Sequence, residues 1–293
     1  MYLWVLEKHL KQAGALNYFK RFKNKIANST KRIHVNQMNH RSDGYTLKKS
    51  LGQHFLRDEN ICKKIVAALQ QSSFSQLLEV GPGAGALTKY LLQIPGIAFK
   101  AVELDAEKVT YLEANYPAIK NKLIHQSFLD VEVPFEDGFF VVGNFPYNIS
   151  SQILFKILDW KNQVPEVVGM FQKEVAQRVA AKSGNKAYGI LSVLVQAFYE
   201  VEYLFDVPPG CFNPPPKVMS GVIRLKAKKE RLVVKSERAF FILVKTAFNQ
   251  RRKMLRNAVK SLFDDEFLKN EIFNKRAEQL SLENFAMLTF KMR

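Results

Sequence analysis

The chain has 293 residues, more than one hydrophobic core usually accommodates, so its length favours an α/β domain of ordinary size with a smaller second domain. Its 47% apolar and 24% charged residues are typical of a globular protein and exclude collagen-like and broadly disordered chains. The two cysteines, Cys62 and Cys211, and the five histidines show no metal-ligand spacing, so we expect reduced thiols and no bound metal ion.

Neither membrane insertion nor secretion is predicted. No segment reaches the ~18 consecutive apolar residues that a membrane-spanning helix needs. The short apolar run at 2–6 has no basic stretch before it and is followed at once by Glu7, Lys8 and His9, which argues against a secretory signal. We therefore expect a cytoplasmic protein.

The net charge of +17 indicates a polyanionic partner, and it is unevenly distributed. Residues 1–50 carry 11 Lys and Arg against 2 Asp and Glu, and residues 226–293 carry 17 against 8, whereas residues 51–225 carry 16 against 17. Two basic flanks around a neutral body are the pattern of a protein that holds a phosphate backbone beside a chemical centre. A nucleic acid is the favoured partner, and an acidic membrane surface or simple solubility is the alternative.

Residues 1–46 form a basic extension that has two open interpretations. The mixture of aromatic residues and lysines fits an amphipathic helix over 3–26 that touches RNA. Alternatively, Met38 is the true start, and the preceding residues are rarely translated or disordered.

From Lys48 onward, helical and extended patterns alternate as in a repeated β-α unit. The predicted strands are 76–80, 98–103, 122–126, 139–143, 167–171, 199–207 and 218–226, of which the last two form a hairpin through a proline-rich loop. The predicted helices are 59–71, one that ends near 92, 106–115, 150–158, 173–181 and 188–198. After a charged linker only helical stretches follow, at 237–248, 252–263, 274–280 and 281–290. The pattern predicts an α/β domain over 47–228 and an all-helical domain over 229–293.

A glycine-rich turn follows the first of these strands. Gly81, Gly83 and Gly85 let the backbone come close to a ligand, but their spacing differs from the GxGxxG of a dinucleotide site, which disfavours NAD. S-adenosylmethionine (SAM) uses the same strand-turn-helix unit and needs an acidic acceptor for its ribose hydroxyls. Glu103 ends the next strand and can accept two charge-assisted hydrogen bonds. An ordinary turn beside a surface acid is the plain structural alternative.

A second motif, Asn144-Phe145-Pro146-Tyr147, follows an apolar strand at the edge where open α/β sheets bind ligands. It fits methylation of an exocyclic base amine, whose lone pair is delocalised into the ring. The Asn144 side-chain oxygen and the Phe145 backbone carbonyl can accept hydrogen bonds from that amine and draw its nitrogen toward sp³ geometry. Pro146 stiffens the turn, and Tyr147 stacks on the base. Alone, the motif could be a structural turn.

Together these residues resemble the ribosomal RNA adenine dimethyltransferase family, particularly its small-subunit branch. The resemblance extends from about Lys48 to Lys260. The motifs that carry it lie at 49–56, 79–85, 103, 144–147, 172–178, 212–218 and 248–257. It implies a Rossmann-like SAM-dependent methyltransferase domain with a seven-stranded, mostly parallel sheet. It also implies dimethylation of N6 on two adjacent adenosines near the 3′ end of small-subunit (16S) rRNA during ribosome assembly.

The resemblance also assigns roles to single residues. It implies that His54 and Leu56 lie over the cofactor and that Phe212 faces Tyr147 across a flipped adenine. The family usually has Asn where His54 stands, and His54 can still use its ring or its backbone as a partner. The family usually has an Asp that accepts from the cofactor's adenine where this chain has Ser127, which can accept one hydrogen bond without a charge.

The helical domain carries a basic cluster that we expect to bind RNA. Arg251, Arg252, Lys253 and Arg256 crowd into about one and a half helical turns. Like charges so close repel each other unless a polyanion meets them. The residues expected to pack the core of this domain and leave the cluster outward are Phe240, Phe241, Val244 and Phe248.

Two other functions compete with small-subunit methylation by a monomeric enzyme on a pre-assembled subunit. One is an RNA-binding assembly factor that keeps the fold and has lost methylation, and the intact motif at 144–147 argues against it. The other is methylation of large-subunit rRNA, which the motifs at 212–218 and 248–257 disfavour because they resemble the small-subunit branch more closely. DNA methylation is less favoured still, since the chain has no extra target-recognition domain.

Overall fold

The computed structural model describes residues 41–42, 45–46 and 54–293. The helix expected over 3–26 and the alternative start at Met38 lie outside these residues. No helix in the described part of the chain is both long and apolar enough to cross a membrane.

The described chain folds into eleven strands and nine α-helices, joined by short 3₁₀ turns. The strands are β1 (Arg41–Ser42), β2 (Tyr45–Thr46), β3 (Phe55–Leu56), β4 (Gln76–Val80), β5 (Ala98–Glu103), β6 (Leu123–His125), β7 (Phe140–Asn144), β8 (Glu166–Gln172), β9 (Tyr199–Val207), β10 (Phe212–Asn213) and β11 (Ser220–Ala227). The helices are α1 (Glu59–Leu69), α2 (Thr88–Leu91), α3 (Ala106–Asn115), α4 (Ser150–Asp159), α5 (Lys173–Ala180), α6 (Ile190–Gln196), α7 (Glu237–Asn249), α8 (Leu255–Ala258) and α9 (Leu282–Thr289).

Seven strands form one sheet in the order β6-β5-β4-β7-β8-β11-β9. β4, β5, β6, β7 and β8 are parallel, and β11 pairs antiparallel with both β8 and β9. The predicted seven-stranded, mostly parallel sheet is therefore confirmed, and so is the hairpin of its last two strands. Strands 76–80, 98–103 and 199–207 and helix 106–115 have the predicted bounds, and the other elements of this domain differ from theirs by one or a few residues at one or both ends.

Both faces of the sheet are buried, which explains why its strands are nearly continuous apolar runs. Neighbouring strand residues point to opposite faces, so Leu77 and Leu78 belong to two different apolar clusters, as do Val141 and Val142. One cluster packs under α1, α2 and α3. The other continues without a break from the sheet into the helical region, where it takes in Leu243 of α7.

The helical region differs in part from the prediction. Its expected core residues Phe240, Val244 and Phe248 are buried, and Phe241 is half-buried. The single helix expected over 252–263 is wrong. The backbone of Met254 is extended and the N–H of Leu255 donates to the carbonyl of Lys275 at 2.8 Å, so a new short helix, α8, begins only at Leu255. The helix expected over 274–280 is likewise only a 3₁₀ turn at Ala277–Gln279.

Candidate active site

A cavity of about 210 Å³ lies where β4, β5 and β7 end. These strands are parallel, so their carboxyl ends meet at one edge of the sheet, and ligands of open α/β folds bind at this edge. The predicted site residues that line the cavity are His54, Leu56, Gly81, Gly83, Glu103, Ser127, Asn144, Phe145, Pro146 and Tyr147. Two other predicted residues, Gly85 and Phe212, do not line it. The structure thus brings together five segments that are separate in sequence.

Two positions of the glycine-rich turn need glycine for different reasons. Gly83 has a φ of +58°, and a Cβ there would lie 2.8 Å from the ring of Phe55, which lines the cavity. Gly85 has a φ of +83°, and its Cβ would lie 2.3 Å from the ring of Tyr116. Gly83 therefore keeps the backbone close to the cavity, whereas Gly85 makes room for a side chain outside the cavity.

Glu103 holds its carboxylate against the turn. Its Oε2 accepts a hydrogen bond from the Gly83 N–H at 3.1 Å, and its Oε1 accepts from the N–H groups of Leu104 and Asp105 at 2.8 and 2.9 Å. Burial raises the pKa of this carboxyl, and the three backbone donors oppose that rise. An ionised carboxylate offers about four acceptor positions, so one remains for a ligand hydroxyl.

A second acid, Glu79, lies in the neighbouring strand and also lines the cavity. It is fully buried and its Oε2 accepts from the Thr88 hydroxyl at 2.7 Å. Burial raises the pKa of Glu79 to about 8, and the negative charge of Glu103 adds to the rise. Glu79 is therefore mostly protonated at pH 7.

The motif at 144–147 forms the opposite wall. The Asn144 side-chain nitrogen donates to the backbone carbonyl of His54 at 3.0 Å, which leaves its oxygen available as an acceptor. The Phe145 ring is buried in a space between Gly143 and Gly169 that a Cβ on either glycine would fill. Its backbone N–H donates to the carbonyl of Met170 at 3.1 Å. The turn is thus held on both sides by the sheet.

Tyr147 is held at two points. Its ring stacks on the ring of His54, with centroids 5.6 Å apart and planes inclined by 29°. Its hydroxyl forms a hydrogen bond with the hydroxyl of Ser220. Burial raises the pKa of the Tyr147 phenol, so the phenol remains protonated at neutral pH.

A short two-stranded ribbon of β3 and β10 lies beside this wall, with Leu56 opposite Phe212. Both residues are about 4% exposed and belong to the same apolar cluster, so the structure places Phe212 beneath the ribbon. The expected pairing of Phe212 with Tyr147 across a base remains a prediction. Next to the ribbon, Nδ1 of His54 lies 2.9 Å from the carbonyl of Pro214.

Ser127 and Gln126 line the third side of the cavity. The Ser127 hydroxyl accepts from the backbone N–H of Leu129 at 3.3 Å, and the Gln126 side-chain nitrogen donates to the carbonyl of Asp130 at 3.3 Å. Both side chains therefore help to form the turn after β6. The Gln126 side-chain oxygen can serve as an acceptor, as can the second lone pair of the Ser127 hydroxyl.

The four residues of the basic cluster differ in their exposure to solvent and in their partners. Arg252 and Lys253 are exposed in the turn after α7. Arg251 forms an ion pair with Glu278 at 2.7 Å and also donates to the carbonyl of Lys186. Arg256 is half-buried at the start of α8. Only two of the four predicted RNA-binding side chains are thus fully exposed.

Sequence reasoning missed Phe55, Glu79 and Ser220. Phe55 and Glu79 lie inside the motifs at 49–56 and 79–85. From these motifs, only His54, Leu56 and the glycines were predicted as site residues. Ser220 starts a strand far from the motif at 144–147, and only the register of β11 beside β8 brings it to Tyr147. A serine at the start of a strand carries no signal of its own.

The sheet order, the turn and Glu103 together define the class of this protein as a SAM-dependent methyltransferase. The residues present fit the cofactor: a close backbone at Gly81 and Gly83, a carboxylate at Glu103 with acceptor capacity remaining, and the exposed side chain of Leu104 at the cavity rim. Together they provide backbone, charge and an apolar surface for an amino acid, a ribose and a base respectively.

Comparison with known proteins identifies the family. A model of the family described as "Ribosomal RNA adenine dimethylase" matches residues 44–289. A Cytophaga hutchinsonii protein named ribosomal RNA small subunit methyltransferase A is 53% identical over 246 residues, which are 83% of this chain and 95% of that protein. A protein of the same name from Flavobacterium johnsoniae is 51% identical over 249 residues, 84% of this chain and 95% of that protein.

Solved structures agree with this comparison. A dimethyladenosine transferase of Plasmodium falciparum is 25% identical, has a TM-score of 0.66, and the match covers 79% of this chain and 94% of that one. The 23S rRNA methyltransferase ErmE shares the fold at a TM-score of 0.62, with 22% identity and coverage of 80% and 99%. The chain belongs to the ribosomal RNA adenine dimethylase family, and it is an enzyme that uses SAM.

Glu103→Ala is expected to weaken SAM binding by about 1.5–3 kcal/mol, because it removes the carboxylate that we expect to accept a charge-assisted hydrogen bond from the ribose. Isothermal titration calorimetry measures the change. Glu113→Ala, an exposed acid on α3, is the control and should bind SAM like the wild type. An unchanged affinity in Glu103→Ala would remove this residue from the cofactor site.

Glu79 should make the fold less stable as the pH rises. Its folded pKa of about 8 exceeds the ordinary value of 4.5, so between these values the unfolded chain loses a proton that the folded chain keeps. Relative to the wild type, Glu79→Gln should therefore gain up to about 1.4 kcal/mol of unfolding free energy per pH unit in this window. Denaturant unfolding across the pH range measures it, with exposed Glu132→Gln as the control. A pH-independent difference would contradict the assignment.

Proposed function

We propose that this enzyme dimethylates N6 of two adjacent adenosines near the 3′ end of small-subunit rRNA, with Asn144 as the residue that acts on the target amine. The family model and the names of its bacterial relatives support this target. The observation that carries the proposal is the orientation of Asn144. Its nitrogen is bound to the His54 carbonyl, and its oxygen is therefore the atom available to the substrate.

The chemistry requires acceptors and no strong base. The lone pair of an adenine N6 is delocalised into the ring, so the nitrogen is a poor nucleophile until it becomes pyramidal. The Asn144 side-chain oxygen and the Phe145 carbonyl accept hydrogen bonds from the two amine hydrogens and favour that geometry. Because the hydrogen bond to His54 keeps the Asn144 amide from turning over, its acceptor stays preorganised. The surplus proton leaves after methylation.

The other site residues hold the reactants. SAM supplies an electrophilic methyl group on its sulfonium sulfur when bound. Glu103 accepts from a ribose hydroxyl with its remaining lone pair. His54, Leu56 and the turn at Gly81 and Gly83 lie against the cofactor, and Ser127 accepts from its adenine. Tyr147 stacks on the extruded target base, and Pro146 keeps the turn in place. Base stacking on an aromatic ring contributes about 1–3 kcal/mol.

Recognition of the RNA belongs to the helical region. Arg252 and Lys253 are exposed and bind backbone phosphates, whereas Arg251 is paired with Glu278 and Arg256 is half-buried. The substrate we infer is the pre-assembled small ribosomal subunit, since the enzyme pairs a neutral catalytic body with basic flanks that fit an extended RNA surface. We infer a monomer that acts in the cytoplasm.

Asn144→Ala should reduce methyl transfer by about 10²–10³, as removal of one preorganised polar contact does in other reacting centres. SAM binding and subunit binding should remain close to those of the wild type. The measurement is mass spectrometry of small-subunit rRNA from a deletion strain complemented with either gene, together with single-turnover rates in vitro. Asn115→Ala, on the exposed end of α3, is the control. Wild-type rates in Asn144→Ala would rule out the mechanism, and intact dimethyladenosines in the deletion strain would rule out the target.

Arg252→Ala/Lys253→Ala should weaken binding to the small subunit and lower the slope of log affinity against log salt by about 1.4–1.8. Each lost phosphate contact removes about 0.7–0.9. Arg251→Ala should change the slope less, because Glu278 already neutralises this side chain. The charge-matched control is Lys120→Ala/Lys122→Ala, two exposed lysines of the catalytic body. An unchanged slope in the first variant, or an equal change in the control, would contradict the RNA contact.

A further inference from the structure

We propose that Ser220 and His54 are positioning residues that hold the Tyr147 ring in the orientation needed to stack on the target adenine. Neither residue is assigned to this task by the function above, which uses Tyr147 only as a stacking surface. The inference rests on the proposed function and adds the reason why that surface has a defined orientation.

Contacts at the hydroxyl and at one ring face restrict the side chain of Tyr147. A tyrosine ring has two side-chain torsions, and both must be fixed before its face can present a flat surface at a defined angle. The hydrogen bond with Ser220 fixes the hydroxyl end, and the His54 ring covers one face. The side chain is half-buried, which further limits its rotamers.

Ser220 is itself fixed by its place in a strand that is paired on both sides. It is fully buried at the first position of β11, where it lies opposite Gln172 of β8 and Val207 of β9. Because β11 is paired on both sides, Ser220 cannot shift without breaking hydrogen bonds to β8 and β9. Its hydroxyl is therefore a rigid anchor, and the partner that it meets is a phenol on the catalytic turn.

His54 is held in the same way by its neighbours. A backbone carbonyl can only accept, so the 2.9 Å contact with Pro214 makes Nδ1 of His54 the N–H donor and fixes the plane of the ring. The backbone carbonyl of the same residue accepts from Asn144. His54 thus contacts both Asn144, whose oxygen accepts from the target amine, and Tyr147, whose ring stacks on the target base.

The His54 contact also decides which face of Tyr147 is open. The 5.6 Å between the two ring centroids lies within the range of about 4.5–7 Å for rings in direct contact, so no base fits between them. The target adenine must therefore stack on the other face of Tyr147. This defines one base slot, with His54 as its rear support.

The proposal is tested by a double-mutant cycle of Ser220→Ala and Tyr147→Phe. Each single change should lower kcat/KM for the small subunit by about 2–10-fold, the equivalent of one net hydrogen bond. Because both remove the same hydroxyl pair, the double variant should be no slower than Tyr147→Phe alone. SAM affinity should stay at the wild-type value. Fully additive losses would overturn the role of Ser220.

Ser192→Ala is the matched control for this cycle. Ser192 is also fully buried and donates its hydroxyl to a backbone carbonyl, that of Arg178, outside the cavity. Both serine variants should lose similar thermal stability, but only Ser220→Ala should lose kcat/KM. Equal kinetic losses in the two variants would show a merely structural role and overturn the proposal.

A second cycle tests His54, with kcat/KM measured at saturating SAM. His54→Ala keeps the backbone carbonyl that binds Asn144 and removes only the ring. It should lower kcat/KM for the subunit in the wild-type background and have no further effect in Tyr147→Ala. A further loss in Tyr147→Ala would overturn the role of His54. If the wild type dimethylates the subunit while either cycle is additive, the proposed function stands and only this inference fails.

Discussion

The parallel alignment of β4, β5 and β7 is the constraint on which the rest of the site depends. It brings the ends of three strands to one edge of the sheet, so the glycine-rich turn, Glu103 and the Asn144 turn face one cavity although Gly81 and Asn144 are 63 positions apart in the chain. The alignment requires strands that are buried on both faces. Their apolar composition is therefore as much a part of the catalytic site as the polar residues that end them.

Within that cavity the two buried acids have different states because their partners differ. Three backbone N–H groups surround the carboxylate of Glu103, which supports its ionised form, whereas Glu79 has a single hydroxyl partner and remains protonated over most of the neutral range. Because Glu79 is protonated, the two acids do not place two adjacent negative charges in a desolvated space. One acceptor position also remains on the Glu103 carboxylate beside the turn, where a ligand hydroxyl can bind.

Much of the fold and site could be predicted because their signals are local. The strand Tyr199–Val207 and the helix Ala106–Asn115 follow from side-chain periodicity, and the motif at 144–147 from residue type and position. What could not be predicted depends on contacts between distant segments. The start of α8 is set by a hydrogen bond from Leu255 to Lys275, the burial of Phe212 by its pairing with Leu56, and the support of Tyr147 by the register of β11. No window of sequence contains both partners of any of these contacts.

One apolar cluster runs from the sheet into α7, so the sheet domain and the helical region unfold as one cooperative unit. Residues such as Leu243 and Leu78 share one continuous interior, so loss of packing in either region exposes apolar surface of the other. A ligand that binds only the folded chain stabilises the whole cooperative unit. In the proposed complex, RNA held at the turn after α7 therefore also stabilises the fold that forms the cofactor cavity. Substrate and cofactor in that complex both favour the folded state of one hydrophobic interior.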